Sequence, residues 1–315
     1  MNFSPKYIII LHIFYNMLLF LYKYINSYTV SNLHKYILTS MKNATYELKF
    51  HIFKGDNFMD IMTILSVLFA FICIIVGFII EGGKPIALLQ PTAAMIVIGG
   101  TLGAVGISFP SSILKKFPKV LSIAFKKKEI DLKGYIDYFK GVSLKTRRDG
   151  LLSLESDLTD DALDPFVKKG LQMVVDGIDP SSVKSILNTK LEQLSTRHEN
   201  CIEMFTSAGG YAPTMGIVGT ITSLVIILSA LSDVAAMGEK IAVAFVATLY
   251  GLATANLFWL PIASKLREIN KEEIAEKEMI IEAVLLIQEG VNPNTLVSKL
   301  VSYLTEDEAK DLEGI

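Results

Sequence analysis

The chain has 315 residues, 51% of them hydrophobic and 20% charged, with a formal net charge of −2. Its mean hydropathy of +0.44 is too high for a purely soluble protein, and the near-neutral balance lacks the basic face that nucleic-acid binding calls for. Cys73 and Cys201 are too few and too differently placed for a disulfide framework or a metal cluster, and read as packing residues.

Residues 1–58 stand apart. Tyr7 to Leu21 is apolar between Lys6 and Lys23, but His12 and Asn16 interrupt it, which leaves it short for a comfortable crossing. A fifth span, a cleaved signal and a start of synthesis at Met59 are all open readings; the sharp change in character at Met59 favours the last.

Four runs without Asp, Glu, Lys or Arg follow: Ile61 to Ile80, Pro85 to Leu114, Met204 to Ser232 and Ile241 to Ser264. Each is long enough to cross a hydrocarbon core of roughly 30 Å as helix. Lys115, Lys116, Lys119 and Lys126 to Lys128 flank the second run, and Lys265, Arg267 and Lys271 flank the fourth. Lysine and arginine are retained on the cytoplasmic side. The expected architecture is therefore an all-α polytopic protein of the cytoplasmic membrane. It has a transmembrane hairpin over 59–114, a cytoplasmic helical insert over 115–203, a second hairpin over 204–264 and a cytoplasmic helical tail over 265–315.

Within the insert, Val183, Ile186, Leu187, Leu191 and Leu194 recur at helical spacing, and Asp164-Pro165 and Asp179-Pro180 are polar caps followed by a first-turn proline. The tail predicts one charged helix from Lys265 to Glu289, stopped by Gly290, and a final helix capped at Asn292-Pro293-Asn294 that runs through Leu304. The charges of the long tail helix read as a solvated face.

None of the four runs holds an ionisable carboxylate, Lys, Arg or His. Such residues mark ion pathways in membrane proteins, so either the chain moves no ions or a partner supplies the titrating group. Gly99 and Gly103 stand at GxxxG spacing, and Gly216, Gly219, Thr220, Thr222 and Ser223 enrich the third run; small residues let helices approach, within one chain or between copies. Pro213 and Pro261 each remove a helical donor, to the carbonyls of Gly209 and Leu257, and are candidate hinges at the cytoplasmic ends of spans three and four. Trp259 and Tyr250 read as interface anchors or as core. Arg147 and Glu155, on a single helix, would differ by about 80° and lie about 12 Å apart, close to one face that could meet a charged partner or simply face solvent. His198, beside Glu199 and Cys201, reads as a surface residue. An enzyme is disfavoured, since no nucleophile with its base, phosphate loop or metal-spaced cluster stands out. No internal repeat points to a solute transporter.

The segments GGTLGAVGISFP (from Gly99), RRDGLLSLE (Arg147 to Glu155), YAPTMGIVGT (from Tyr211), AFVATLYGLATANLFWLPIASKL and GVNPNTLVSKLVSYL resemble, in order and spacing, the flagellar stator (MotA) branch of the MotA/TolQ/ExbB proton-channel superfamily. The resemblance covers Met59 to Ile315 and has no counterpart for residues 1–58. It implies a ring of five copies around two copies of a MotB-like protein, whose transmembrane Asp carries the ion. It further implies that Pro213 and Pro261 lie near the cytoplasmic end of the ion path, that Thr220 and Thr248 line it with Phe245 beside them, and that Arg147 and Glu155 engage the rotor protein FliG. Ala247 stands where sodium-driven relatives carry a hydroxyl, which implies protons, with no cofactor and no metal. The energisers of envelope transport in the same superfamily are the alternative; they have three spans.

Overall fold

The computed structural model describes residues 61–126, 130–159, 163–229, 234–306, 308 and 309. The readings of residues 1–58, including the start at Met59, lie outside the described residues. Among the described residues the secondary structure is helical. Helix α1 spans Ile61–Ile80, and a one-turn 3-10 helix, Pro85–Leu88, leads into α2 (Pro91–Ala94), a π turn (Met95–Gly99) and α3 (Gly100–Ser108). Short helices α4 (Ser111–Leu114) and α5 (Phe117–Ala124) precede α6 (Leu132–Asp149), a 3-10 segment (Leu151–Thr159) and α7 (Pro165–Val175). Helix α8 runs unbroken over Pro180–Ser229, followed by α9 (Val234–Thr254), a second π turn (Ala255–Trp259), α10 (Leu260–Gln288) and α11 (Pro293–Val301).

Among the described residues, four helical segments are long and apolar enough to cross a membrane. The second span ends as a helix at Ser108, earlier than its charge-free run, because the chain turns extended at Phe109 and Pro110. Helix α8 has 50 residues, about 75 Å at 1.5 Å per residue. That is more than twice a hydrocarbon core, so its first half projects out of the membrane.

Each terminus of the projecting helices has a local cause. Asp131 accepts from the Gly134 amide at 2.8 Å, Asp164 from Phe166 at 2.7 Å and Val167 at 3.2 Å, and Asp179 from Ser182 at 3.0 Å. These carboxylates satisfy amides that the first helical turn leaves open. Gly150, Gly177 and Gly290 end α6, α7 and α10 at φ of 82°, 72° and 67°, a region that only glycine enters without strain. Asn292 accepts from the Asn294 amide at 2.9 Å to start α11, which ends at Val301 rather than Leu304.

Among the described residues, two cores hold the helices together. The outer one joins Phe139, Leu154, Leu171 and Leu187 of the insert to Met279, Ile280, Val284 and Ile287 of α10 and to Leu296 of α11. Insert and tail are therefore one body. The solvated-face reading of the long tail helix holds at Glu268, Lys271 and Glu272, which are exposed, and is corrected at Glu276 and Lys277. Lys277 and Glu276, with side chains 8% and 5% exposed, form an ion pair at 2.8 Å, and Lys277 also reaches Asp164 at 3.0 Å. Burial alone would lower the Lys277 pKa, but hydrogen bonds and charge from Glu276 and Asp164 prevail and raise it above its usual value. Burial, reinforced by the negative charges of Glu276 and Asp164, pushes the Tyr135 hydroxyl up to about 12.

The inner core lies at the base of the spans. Phe117 stacks on Phe205 with centroids 5.0 Å apart, and Trp259 lies 6.3 Å from both and 4.9 Å from Phe258. Trp259 is thus a core residue of this aromatic cluster, in line with one of the two sequence readings. Arg267 ties α10 to α8 through Glu199 at 3.1 Å and Thr206 at 2.9 Å. His198, expected at the surface, is half-buried and bonds Asn270 of α10 at 2.9 Å.

Candidate ion path between the third and fourth spans

The second half of α8 packs along α9, and glycines set their separation. A Cβ added at Gly216 would lie 3.0 Å from the Ala247 carbonyl oxygen and 3.2 Å from Thr248 Cα; one at Gly251 would lie 2.6 Å from the Ala212 oxygen and 3.2 Å from Pro213 Cα. The opposing groups are backbone and cannot swing aside, so only glycine permits this approach. Gly219 meets Ala247, and Gly209 meets the Leu260 side chain. By contrast, a Cβ at Gly99, Gly103 or Gly106 would meet nothing within 4 Å; of that span's small residues, Gly100 makes the close contact, to Met215. The GxxxG pair does not pack closely against any of the described residues.

This proximity lets two hydroxyls meet. Thr220 and Thr248 bond to each other at 2.5 Å, and Thr220 Oγ1 also contacts the Ala244 oxygen at 3.0 Å and the Gly216 oxygen at 3.1 Å. Both threonines are half-buried. Phe245, one turn away on α9, is 67% exposed. Tyr250 donates to the Leu88 carbonyl and accepts from the Gln90 amide at 3.3 Å, fastening α9 to the entry of the second span.

The two prolines are handled differently, so they are not a matched pair of kinks. Pro213 sits inside α8, which stays helical throughout. Pro261 follows the π turn, in which the Leu260 amide donates to Ala255. A π turn, one residue wider than the α turn, marks a local departure from regular helix just ahead of the proline's missing donor.

Arg147 and Glu155 are both exposed, but no single helix carries them. Gly150 ends α6 at φ 82°, and Glu155 belongs to the following 3-10 segment. The expected 80° offset on one helix is therefore replaced by a corner. Arg147 lines a small cleft with Leu144, Arg148 and the Asn292-Pro293-Asn294 turn of the tail. The sequence did not reveal the contribution of Gly251, nor the burial of Lys277. Gly251 stands at four-residue spacing from Ala247 and Ala255, a pattern that does not say which helix it will meet, and the Asp164 partner of Lys277 is 113 residues away.

Fold and site together define a helical membrane protein, with four spans among the described residues, in which two adjoining spans share a hydroxyl pair and contain no carboxylate, Lys, Arg or His of their own. Residues 64–145 match the motility protein A N-terminal family and residues 158–279 the MotA/TolQ/ExbB proton channel family. Motility protein A of Bacillus subtilis (strain 168) is 37% identical over 247 residues, which cover 78% of this chain and 91% of that protein. An uncharacterised protein of the same strain, YtxD, is also 37% identical, over 79% of this chain and 92% of its own length. The flagellar MotAB stator complex from Bacillus subtilis contains a chain 35% identical, with a TM-score of 0.75, covering 79% of this chain and 98% of that one. C. jejuni MotAB gives 32% identity and the same TM-score, over 79% and 97%. The chain belongs to the MotA/TolQ/ExbB proton channel family.

Proposed function

We propose that this chain is the MotA-type stator subunit of a bacterial flagellar motor. With a MotB-type partner it forms an ion channel that converts ion flow into torque. The observation that carries the reading is the Thr220–Thr248 pair, a polar element at the contact of spans three and four in a membrane region without a carboxylate of its own. A polar path that lacks a titrating group is completed by a chain that brings one, and both structural relatives are MotAB assemblies.

In this reading five copies surround two partner helices, each with a transmembrane Asp. The motive force supplies about 2.3 kcal/mol per charge for each 100 mV. Protonation neutralises the partner Asp and removes its attraction to the hydroxyls of the path, which lets the ring step. Phe245, Pro213 and Pro261 belong to the same path, and Ala247 in place of a hydroxyl favours protons. The insert and tail are cytoplasmic, as the lysine-rich flanks favour, and no cofactor is needed. Leu65, Leu68, Ile72, Ile75 and Ile79 of α1, each 41% to 55% exposed, recur at helical spacing and face lipid.

Helix α10 runs without a break from Leu260 to the buried pair Glu276–Lys277. A turn at Pro261 is thereby carried into the body that bears Arg147 and Glu155, the residues we assign to contact with FliG. Relatives that are motility protein A argue for the motor over the three-span energisers.

The test is co-expression with a single-span, Asp-bearing partner, followed by native mass measurement of the complex. A five-to-two ratio is the expected result. A stable monomer that binds no partner would refute the reading.

A further inference from the structure

The four charge-free runs contain a single asparagine, Asn256. It lies within the π turn Ala255–Trp259 and on an exposed face of the fourth span. One amide N–H donates to the Leu252 carbonyl at 2.9 Å. The other N–H and the carbonyl oxygen have no partner among the described residues. Setting such a group against acyl chains is costly, because lipid offers nothing to bond to. Phe245 and Leu252, at 67% and 49% exposure, share the stripe. Eleven residues at 100° each bring Asn256 back to within about 20° of Phe245, about 16 Å along the axis and about 12 Å beyond Thr248. The stripe runs beside the hydroxyl pair, with Thr248 about 60° to 80° around the helix from it, and leads toward Pro261 and the end of the span that joins α10. Of Phe245, Leu252 and Asn256, the polar one stands in a π turn, a feature that recurs at functional sites.

We propose that Asn256 is a hydration site on the limb of the ion path between the Thr220–Thr248 pair and the cytoplasm. The proposal rests on the stator reading. A carboxamide donates and accepts at once, as a bound water requires, and it does not titrate, so it supports a passing proton without trapping it. A carboxylate at this depth would instead hold the ion, and a leucine would leave the limb dry.

The test uses the full complex of this chain with its partner in proteoliposomes, an imposed proton gradient and an internal pH dye. Asn256→Leu is expected to lower proton flux at least about tenfold, while Asn256→Ser, which keeps a donor and an acceptor, stays within about threefold of the unaltered complex. Subunit ratio and yield are measured on each variant. Asn256→Ala, a truncation on an open face, reads the same flux should the leucine variant lose assembly. Unaltered flux in Asn256→Leu, or an equal loss in the serine and leucine variants, would overturn the proposal. Loss of the partner in both apolar variants would also overturn it, in favour of a direct helix-to-helix bond. An unaltered complex that conducts no protons would be a different failure, that of the stator reading itself.

Discussion

Gly251→Ala is the substitution that most directly tests the contact between spans three and four. The new methyl would stand 2.6 Å from the Ala212 oxygen, about 0.8 Å short of ordinary contact at 3.4 Å, and 3.1 Å from Gly216 Cα. With backbone on both sides, the helices must separate. An opening of that size takes the Thr220–Thr248 bond from 2.5 Å to about 3.3 Å, past the range of a good hydrogen bond. Overpacking costs about 1–3 kcal/mol and the weakened bond about 1 kcal/mol, while alanine's helix preference returns about 1 kcal/mol. The net loss is about 1–3 kcal/mol, or an apparent Tm lower by several degrees for a chain of this size. Gly141→Ala is the control: it lies within α6 where an added Cβ meets nothing within 4 Å, so the preference acts alone and Tm rises slightly. Circular dichroism melts in detergent, with swimming speed measured in parallel at matched membrane levels, give the comparison. If Gly251→Ala melts with Gly141→Ala and swims normally, the two spans do not meet at Gly251 and the geometry of the path is wrong.

Four further outcomes follow from the same structure. Lys277→Met leaves Glu276 and Asp164 without their cation and is expected to cost about 3–5 kcal/mol, read as a large drop in the melting temperature of the complex. The pH dependence of stability has a definite sign: burial raises the Asp164 pKa, but the Lys277 contact and the Phe166 and Val167 amides lower it further, to a net value below 3.8. Its contribution is therefore complete above pH 3.8 and is lost as pH falls through the lowered value, and Asp164→Asn should flatten that acid limb of a melting-temperature profile. Thr220→Val and Thr248→Val, combined in a double-mutant cycle on stability and proton flux, should show coupling of about 1 kcal/mol; strictly additive effects would mean that the two hydroxyls act separately. Arg147→Glu should leave the melting temperature within about 0.5 kcal/mol equivalent because the side chain is exposed, yet abolish or strongly slow swimming; unchanged torque would remove Arg147 from the rotor contact.

Charge distribution alone determined the membrane architecture. An unpaired charge in hydrocarbon is so unfavourable that four uncharged runs leave little freedom in the number of spans after residue 58, and their lysine flanks favour one direction. Caps were equally legible, since Asp164, Asp179 and Asn292 act on amides two or three residues away, and a local interaction leaves a local pattern. The roles suggested for Thr220 and Thr248 came from resemblance, and only the packing of α8 against α9 brought the two hydroxyls together across 28 positions. Tertiary structure also decided what no local pattern encodes. It buried Lys277 and Glu276 in a helix whose charges read as solvated, broke the supposed single helix of Arg147 and Glu155 at Gly150, and chose Gly251 rather than Gly99 and Gly103 for close approach. Burial and approach depend on which distant surfaces meet, and a helix's own periodicity says which face is apolar without saying which neighbour will cover it.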